Sequence, residues 1–301
     1  MNALKTFPFK VLKLAIKPFV GTGLSKYSVV SRLYNYLTDI LQPRSAITVN
    51  NYKMYIYQDE YRGVDCIIEE LLLTGTWEPY TTDILKRILR EGMIIVDIGA
   101  NIGYYSLLAA SLVGETGRVY AFEPEPHNYN LLKRNISANG YTNIEAHQKA
   151  VSSKAGKRAL YVGTQSGTHS LFNVRETTTK SVMVDLVVMD EFFRERKKNV
   201  DIVKVDVQGA EMDVLMGMQN VIQNNDHLRL LTEFEPDLTH AEFSLKEYWD
   251  RLTEYGFKYI YLINEQEQMF ELSDFQYSLD FCSKRQVDSV NLLCSKDPEN
   301  I

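Results

Sequence analysis

The hydrophobic pattern of the chain becomes regular after residue 93. Four short, nearly all-apolar segments stand there: "MIIVDI" (93–98), "RVYAFE" (118–123), "VDIVKVD" (200–206) and "LRLLTEFE" (228–235). Helical periodicity alternates with them, in "YYSLLAASLV" (104–113), "NYNLLKRNISANG" (128–140) and "AEMDVLMGMQNVI" (210–222). Strands that are apolar throughout are buried on both faces, and the intervening helices cover them. The pattern therefore predicts an α/β fold: a doubly wound, mostly parallel sheet with helices on both faces.

The C-terminal part of the chain predicts the edge of this sheet. "FKYIYLI" (257–263) and "SVNLLCS" (289–295) have strand character, and we expect them to pair as late antiparallel strands that close the edge. Further helices are predicted from Thr82 to Arg90, with Gly92 as C-cap, and from Leu245 to Tyr255. Two irregular stretches, 162–170 and 264–286, have the length of functional loops.

Residues 1–80 are predicted to form an N-terminal extension before the main domain at 81–301. In it, "AITVNNYKMYIYQD" (46–59) has the β-branched and aromatic character of a hairpin that turns at Asn50 and Asn51. Residues 1–38 carry six basic residues and no acid. On a helical wheel Lys10, Lys13 and Lys17 share one narrow face. The opposite side is apolar: Leu4, Phe7, Val11, Leu14, Ala15 and Phe19.

Two interpretations of this basic segment stay open. It has the pattern of a helix that lies in a membrane surface, and it also fits a helix docked on the protein's own core. The lysines interrupt the apolar residues too often for a transmembrane span. We therefore expect a cytoplasmic protein, with peripheral contact to the inner membrane surface through residues 1–38 as the alternative to a fully soluble one.

Composition narrows the function classes. The chain has 301 residues and a formal net charge of −6, so a broad cationic surface for nucleic acid is not expected. Its three cysteines are widely spaced, which indicates neither a disulfide framework nor a zinc site. A reducing, intracellular setting fits this usage best.

The sequence "VDIGANIGYYS" (96–106) leads from the first apolar strand into a helix. Ligands of open α/β sheets bind at the carboxyl ends of the strands, and Gly99 and Gly103 allow a tight turn there. Glu123 closes the second strand, where an acid can accept both hydroxyls of a ribose. Together these residues predict a site for a cofactor that contains a nucleoside.

Asp97 and Asn101 narrow the choice of cofactor. The dinucleotide fingerprint GxGxxG requires a glycine where Asn101 stands. The carboxylate of Asp97 would repel a pyrophosphate bound at the helix N-terminus. An acid at this position favours a ligand without phosphate and with positive charge. S-adenosylmethionine meets both conditions, because it carries a ribose, an ammonium group and a sulfonium.

Three blocks of the sequence resemble the FkbM family of S-adenosylmethionine-dependent methyltransferases. They are "VDIGANIGYYSLLAA" from Val96, "AFEPEPHNYNLLKRNI" from Ala121 and "VDIVKVDVQGAEMDVLMGM" from Val200. The resemblance implies a class I methyltransferase fold and O-methylation of a hydroxyl on a glycan, glycolipid or natural-product acceptor. It also implies that Asp97, Gly99, Asn101 and Gly103 line the methionine side of the cofactor, that Glu123 holds the ribose, and that Ala150 and Val151 lie by the adenine.

Asp206 is the leading candidate for chemistry at the methyl group, because it ends the third core strand. Three roles stay open for it: a general base, a ligand of Mg²⁺ together with Glu233, or a cap of the following helix. Lys204 belongs to the same rim, and so do the carboxylates Glu211 and Glu235. His169 is the histidine best placed to act as a base, since it falls in an irregular loop, and His240 is a second candidate.

Three functions can be compared with these residues. The leading prediction is an S-adenosylmethionine-dependent O-methyltransferase. A nucleoside-binding sensor or scaffold without methyl transfer would keep the same turn and ribose acid. A nicotinamide-dependent oxidoreductase on a similar sheet is disfavoured by Asp97 and Asn101. Titration with S-adenosylhomocysteine and with NAD separates the first and third functions.

Overall fold

The structure is a computed structural model that describes residues 7–12, 36–37, 40–41, 43, 45–56, 66–163, 167–172, 180–196, 199–236 and 243–299. Residues 7–12 are helical. The further helices are α1 (Cys66–Thr74), α2 (Pro79–Ile88), α3 (Tyr104–Val113), α4 (Pro126–Asn139), α5 (Met189–Arg194), α6 (Glu211–Gly217), α7 (Gln219–Gln223), α8 (Leu245–Glu254) and α9 (Phe275–Arg285). The strands are β1 (Ile47–Val49), β2 (Tyr52–Met54), β3 (Ile94–Ile98), β4 (Arg118–Phe122), β5 (Ile144–His147), β6 (Ala150–Val151), β7 (Gly156–Tyr161), β8 (Ser181–Val187), β9 (Ile202–Val205), β10 (Arg229–Phe234), β11 (Tyr259–Asn264), β12 (Met269–Leu272) and β13 (Val290–Ser295).

The central sheet has eight strands in the order β12-β11-β13-β10-β9-β3-β4-β5. The five strands from β10 to β5 pair in parallel, and the remaining three pair antiparallel. From β3 the chain proceeds outward to β4 and β5, and it later returns to place β9 on the other side of β3. This reversal puts the topological switch point between β3 and β9, where ligands of doubly wound sheets bind. The predicted α/β class is confirmed.

Both faces of the sheet are buried, and alternate residues of each core strand enter different apolar clusters. On β3, Val96 packs with the α5 to α9 side, whereas Ile95 packs with the side of α2 and α3. On β9, Val203 and Ile202 divide in the same way. Burying an aliphatic side chain of this size contributes about 1.5–3 kcal/mol. The continuous apolar runs in the sequence follow from this two-sided burial.

The predicted N-terminal hairpin is present as β1 and β2. Asn50 and Asn51 form its turn with φ of 44° and 72°, as a two-residue loop between twisted strands requires. Its buried side chains Ile47, Val49 and Met54 belong to the cluster that also contains residues of α2 and α3. The hairpin thus packs against the α/β domain, and the division of the chain at residue 80 stays a prediction.

Several predicted boundaries are wrong. Helix α2 ends at Ile88 and Leu89 is already extended, so Gly92 is not its C-cap. The helix predicted over 210–222 is broken at Met218 into α6 and α7. Residues 264–286, expected to be irregular, contain β12 and α9. Strands β11 and β13 do pair antiparallel, but β12 forms the edge and β13 lies inside the sheet.

A second sheet of three strands, in the order β6-β8-β7, was not predicted. Its small apolar cluster includes Ala150, Leu160 and Val184. Among the described residues no helix is both long and apolar enough to cross a membrane.

The first prediction concerns Gly99, which follows β3 with φ of +81°. A Cβ there would lie 1.9 Å from the backbone oxygen of Asp206, so alanine meets a backbone clash as well as strain. Gly140 has φ of +69° and nothing within 4 Å of such a Cβ, which makes it a matched control. We expect Gly140→Ala to lower the free energy of unfolding by about 1–2 kcal/mol and Gly99→Ala by at least about 3 kcal/mol. Urea unfolding measures both, and equal losses would contradict the close approach of the two strand ends.

Candidate active site

The turn after β3 is held to the end of β4 by backbone hydrogen bonds. The amides of Gly99 and Ala100 both donate to the carbonyl of Phe122, each at 3.0 Å. Asn101 takes a left-handed conformation with φ of 50°, and its amide donates to Glu123 Oε2 at 2.8 Å. Polar residues such as asparagine tolerate this region best among non-glycine residues. The turn after β3 and Glu123, the acid predicted to hold a ribose, are therefore joined by hydrogen bonds.

Glu123 is oriented by two backbone amides. Oε2 accepts from Asn101 and Oε1 accepts from the amide of Glu125 at 2.9 Å. Burial raises the pKa of this carboxyl to about 8, although both hydrogen bonds act in the opposite direction. Each carboxylate oxygen has a second accepting position. The side chain lines the pocket described below, so hydroxyl groups of a bound nucleoside can occupy those positions.

Asp97 lies beneath the turn. It is buried, and Ser106 donates a hydrogen bond of 2.6 Å to Oδ2. Its Oδ1 is buried without a hydrogen-bond partner among the described residues. Burial raises the pKa of Asp97, and the ammonium of Lys204 opposes that shift. Asp97 therefore lies under the site, next to the ammonium of Lys204, without being among the residues that line the pocket.

A pocket of about 540 Å³ lies over the switch point, within the size range of small-molecule sites. It extends from the end of β4 across the turn to the end of β9. Eight of the ten residues predicted for the site line it: Gly99, Asn101, Glu123, Ala150, Val151, His169, Lys204 and Asp206. The fold thus brings together, in one pocket, predicted site residues that are up to 107 positions apart in the chain.

Gly103, like Asp97, was predicted to contact the cofactor and is not among the pocket residues. It stands at the N-cap of α3 with φ of +95°. A Cβ at this position would lie 2.6 Å from Leu132 Cδ1 of α4. Close packing against α4 and the left-handed backbone therefore account for a glycine at position 103.

Lys204 and Asp206 form an ion pair at the end of β9. The ammonium lies 3.0 Å from Asp206 Oδ2 and 4.8 Å from the centre of the Tyr105 ring. Burial alone lowers the pKa of Lys204, but Asp206, Asp97 and Glu78 outweigh it and raise the pKa above its ordinary value. Lys204 is therefore a permanent cation, and its role is to balance carboxylates.

The surroundings of Asp206 bear on its three open roles. Helix α6 begins at Glu211 with Ala210 as N-cap and no side-chain cap, so Asp206 is not its cap. The amide nitrogen of Gln208 lies 3.4 Å from Asp206 Oδ1 and 3.0 Å from Glu233 Oε2. Within the described ranges no group of three or more histidines, cysteines or acids could hold a metal ion. The Mg²⁺ alternative finds no support in this geometry.

The other predicted rim acids are largely engaged. Glu211 accepts from the amides of Val207 and Gly209, which fixes the turn after β9. Glu233 accepts from the hydroxyl of Ser289 at 2.6 Å. Burial is the main cause that raises the pKa values of both, to about 7 for Glu211. Glu233 lines the pocket, whereas Glu211 is not among its lining residues, and both carboxylates depend on their donors for orientation.

His169 lines the pocket, but its contacts do not suit a base. The amide of Gly163 donates to its Nδ1 at 3.1 Å. Burial, with further contributions from Lys180 and His127, lowers its pKa to about 4. A histidine with so low a pKa takes up a proton poorly at neutral pH. The second candidate, His240, lies outside the described residues.

Sequence analysis missed Trp77 and Glu78, which line the same pocket from the segment before α2. Glu78 is half-buried, and desolvation raises its pKa to about 7. The hydroxyl of Tyr105 and the amide of Asn291 both donate hydrogen bonds to its carboxylate. These partners are distant in sequence, and the only local signal is the proline at position 79, which marks a helix start.

Relatives with curated names share part of this chain. A protein named methyltransferase 1 from Beauveria bassiana is 30% identical over 150 residues, which cover 43% of this chain and 60% of that protein. Hexuronic acid methyltransferase AglP from Haloferax volcanii is 31% identical over 147 residues, which cover 47% of this chain and 58% of AglP. The match thus spans about three fifths of the length of these two relatives.

Among solved structures, a SAM-dependent O-methyltransferase from Thermotoga maritima is similar with a TM-score of 0.40 at 14% identity, covering 88% of this chain and 83% of that one. The family model of protein-L-isoaspartate(D-aspartate) O-methyltransferase matches residues 27–152. The model of the methyltransferase FkbM domain matches residues 97–259, which is more than half of the chain. That match includes the turn after β3, Glu123 and the end of β9. The chain therefore belongs to the FkbM family of methyltransferases.

Proposed function

We propose that this chain transfers a methyl group from S-adenosylmethionine to a hydroxyl oxygen of a glycan, glycolipid or natural-product acceptor. The observation that carries the proposal is one pocket with two distinct ends. At one end Glu123 is held by two amides with accepting positions left for ribose hydroxyls. At the other end Asp206 and Lys204 stand beyond the turn, separated from Glu123 by β3. A nucleoside cofactor placed on Glu123 extends its methionine part toward Asp206.

The charges around the pocket support S-adenosylmethionine over a dinucleotide. The described residues that line the pocket include eight acids and two lysines, and Lys204 is already paired with Asp206. A pyrophosphate would meet repulsion there, because the acids outnumber the lysines and no arginine stands among these lining residues. A sulfonium and an ammonium group gain from the same field.

The acceptor end favours a hydroxyl over a carboxylate. AglP is named for hexuronic acid and the second family model for isoaspartate, and both of these compounds carry a carboxylate. In this chain Glu78 and Glu233 stand near the paired Asp206, and burial disfavours the ionised form of both. A carboxylate acceptor would add negative charge to this cluster, whereas a neutral hydroxyl adds none. A neutral sugar hydroxyl therefore suits this end of the pocket.

A membrane-linked acceptor is proposed from the N-terminal segment. In the helical residues 7–12, Phe9 is fully buried in the core, whereas Phe7 and Val11 are 64% and 46% exposed. Phe7 and Val11 belong to the apolar side of the wheel, so this part of the predicted face is not docked on the described protein. Lysines follow on the other face. This arrangement supports binding to an anionic lipid surface.

The cofactor proposal predicts that wild-type protein binds S-adenosylhomocysteine in calorimetric titration and does not bind NAD. Glu123→Gln removes the charge and one accepting oxygen, so we expect affinity for S-adenosylhomocysteine to fall about 10- to 100-fold, or roughly 1.5–3 kcal/mol. Glu145→Gln is the control, since Glu145 pairs with Arg118 and Arg196 away from the pocket. Binding of NAD without S-adenosylhomocysteine would overturn the proposal.

The acceptor proposal predicts an ether product. Incubation with radiolabelled S-adenosylmethionine and a panel of neutral oligosaccharides and uronates should label the neutral sugars, and the label should survive mild alkali. A methyl ester formed on a carboxylate would instead be released as methanol. Alkali-labile label that appears only with uronates would show that the carboxylate is the acceptor.

The membrane proposal predicts that the full chain sediments with vesicles that contain anionic lipid. Phe7→Ser with Val11→Ser should reduce the bound fraction at least about threefold, because these side chains supply the apolar contact. Leu272→Ser changes a comparably exposed residue, 61% accessible, on the edge strand β12 and serves as control. Equal sedimentation of both variants would remove the N-terminal segment from membrane binding.

A further inference from the structure

Glu78 has an unusual position before α2. It occupies the N-cap of that helix, yet its side chain makes no cap hydrogen bond. The carboxylate of Glu265 performs the capping, since it accepts from the amides of Tyr80 and Thr81. Glu78 itself is left-handed, with φ of 41° and ψ of 71°. Such strain in a non-glycine residue is characteristic of functional sites. The strained residue Glu78 therefore does not serve to cap helix α2, and its side chain is left for another role.

The side chain of Glu78 is directed to the pocket and fixed from two other elements. Tyr105, on α3, donates its hydroxyl to Oε2. Asn291, on β13, donates to Oε1 at 3.1 Å, and the same amide also donates to Thr81 at 3.1 Å. Tyr105 and Asn291, from two distant parts of the chain, thus hold one carboxylate at the pocket wall.

The charged groups around Glu78 come from every element packed against it. Lys204 and Asp206 face it from the end of β9, and Lys204 lies over the ring of Tyr105. The backbone of Glu78 donates to the carboxylate of Glu70 on α1, and Glu265 adds a further negative charge nearby. Burial raises the pKa of Glu78 to about 7, while Lys204 and the hydrogen bond from Tyr105 restrain the rise. A base near this value is well matched to neutral pH.

We propose that Glu78 is the catalytic base that accepts the proton of the acceptor hydroxyl during methyl transfer. This inference rests on the proposed function. The hydroxyl oxygen forms a bond to the methyl carbon as the bond from that carbon to sulfur breaks. The electron pair of the broken bond returns to sulfur and leaves the neutral thioether of S-adenosylhomocysteine. The hydroxyl proton passes to the Glu78 carboxylate and then to solvent.

Asp206 is the competing base, and its contacts favour Glu78. One oxygen of Asp206 is paired with the ammonium of Lys204 at 3.0 Å, and the side-chain amide of Gln208 lies 3.4 Å from the other. The two described hydrogen-bond donors to Glu78 are neutral. A hydroxyl that approaches Glu78 therefore does not have to displace an ion pair of the kind that holds Asp206.

A purely structural role does not account for this residue. Its half-buried carboxylate has a raised pKa, so its ionisation opposes folding: the stability that it contributes is fully present below pH 4.5 and is lost as pH rises through about 7. A glycine would relieve the left-handed backbone, and a glutamine would remove the charge together with one of the two accepting oxygens. A strained acid that costs stability is typical of an active-site group.

The test compares Glu78→Gln with Asp206→Asn in methyl transfer to the best acceptor of the panel described above. For the wild type we expect kcat to rise with pH through about 7 and then level. Glu78→Gln should lower kcat about 100-fold, abolish this rise, and leave KM and S-adenosylhomocysteine affinity within threefold. Its thermal midpoint at pH 8 should equal or exceed that of the wild type. Tyr105→Phe removes one donor and should move the pH midpoint upward.

The opposite pattern would overturn the inference: a pH rise that persists in Glu78→Gln and disappears in Asp206→Asn. Failure of the proposed function has a different signature, namely wild-type protein that neither binds S-adenosylhomocysteine nor transfers methyl. The Glu78 carboxyl can be followed without any acceptor, by infrared difference spectra of wild type against Glu78→Gln across pH. We expect a midpoint near pH 7. A midpoint at the ordinary pH of a carboxyl would also refute the inference.

Discussion

The buried ammonium of Lys204 is the charge on which the site depends. Lys204 lies directly beside Asp97 in the register of β9 with β3, and it is paired with Asp206 two residues along its own strand. Glu78 completes the set of carboxylates that act on it. Uncompensated burial of such acids would be prohibitive in the interior of a fold. One lysine thus makes it possible for three separate elements to bring acids to the same strand end.

The positive charge of Lys204 does not fully offset the cost of burying these acids, and this has a consequence for ligand binding. Burial is the largest cause of the raised pKa values of Glu78 and Glu123, which reach about 7 and 8. Both groups would be more stable neutral, so the unliganded pocket stores unfavourable electrostatic energy above these values. A cofactor with a sulfonium, an ammonium group and ribose hydroxyls supplies the missing positive charge and hydrogen-bond donors. The free energy that ionisation of these acids costs in the unliganded pocket would therefore be regained when such a ligand binds.

The cofactor end of the pocket, which is the end with Glu123, was predictable because the residues that form it are close together in the sequence. The turn that contains Gly99 and Asn101 is contiguous, and Glu123 follows at the end of the next strand. Glu78 was not predictable in this way, since its donors Tyr105 and Asn291 are 27 and 213 residues away. Strands β7 and β8 were missed because their mixed burial, with exposed polar positions, lacks the all-apolar signature of the central strands. Likewise the charged run before α9 concealed the edge strand β12, which has no fully buried residue and ends on two exposed ones.

The two sides of the pocket consequently differ in how the chain builds them. The cofactor end, with the turn after β3 and Glu123, comes from the segments that the FkbM family model matches, from residue 97 onward. The wall that carries Trp77 and Glu78 comes from residues before that match, together with Asn291 from beyond its end. Asp206 and Glu233, at the same end of the pocket as Glu78, lie inside the matched region. The proposed acceptor would therefore meet residues from inside and from outside that region, so the substrate of any one relative does not by itself indicate the chemistry of the acceptor.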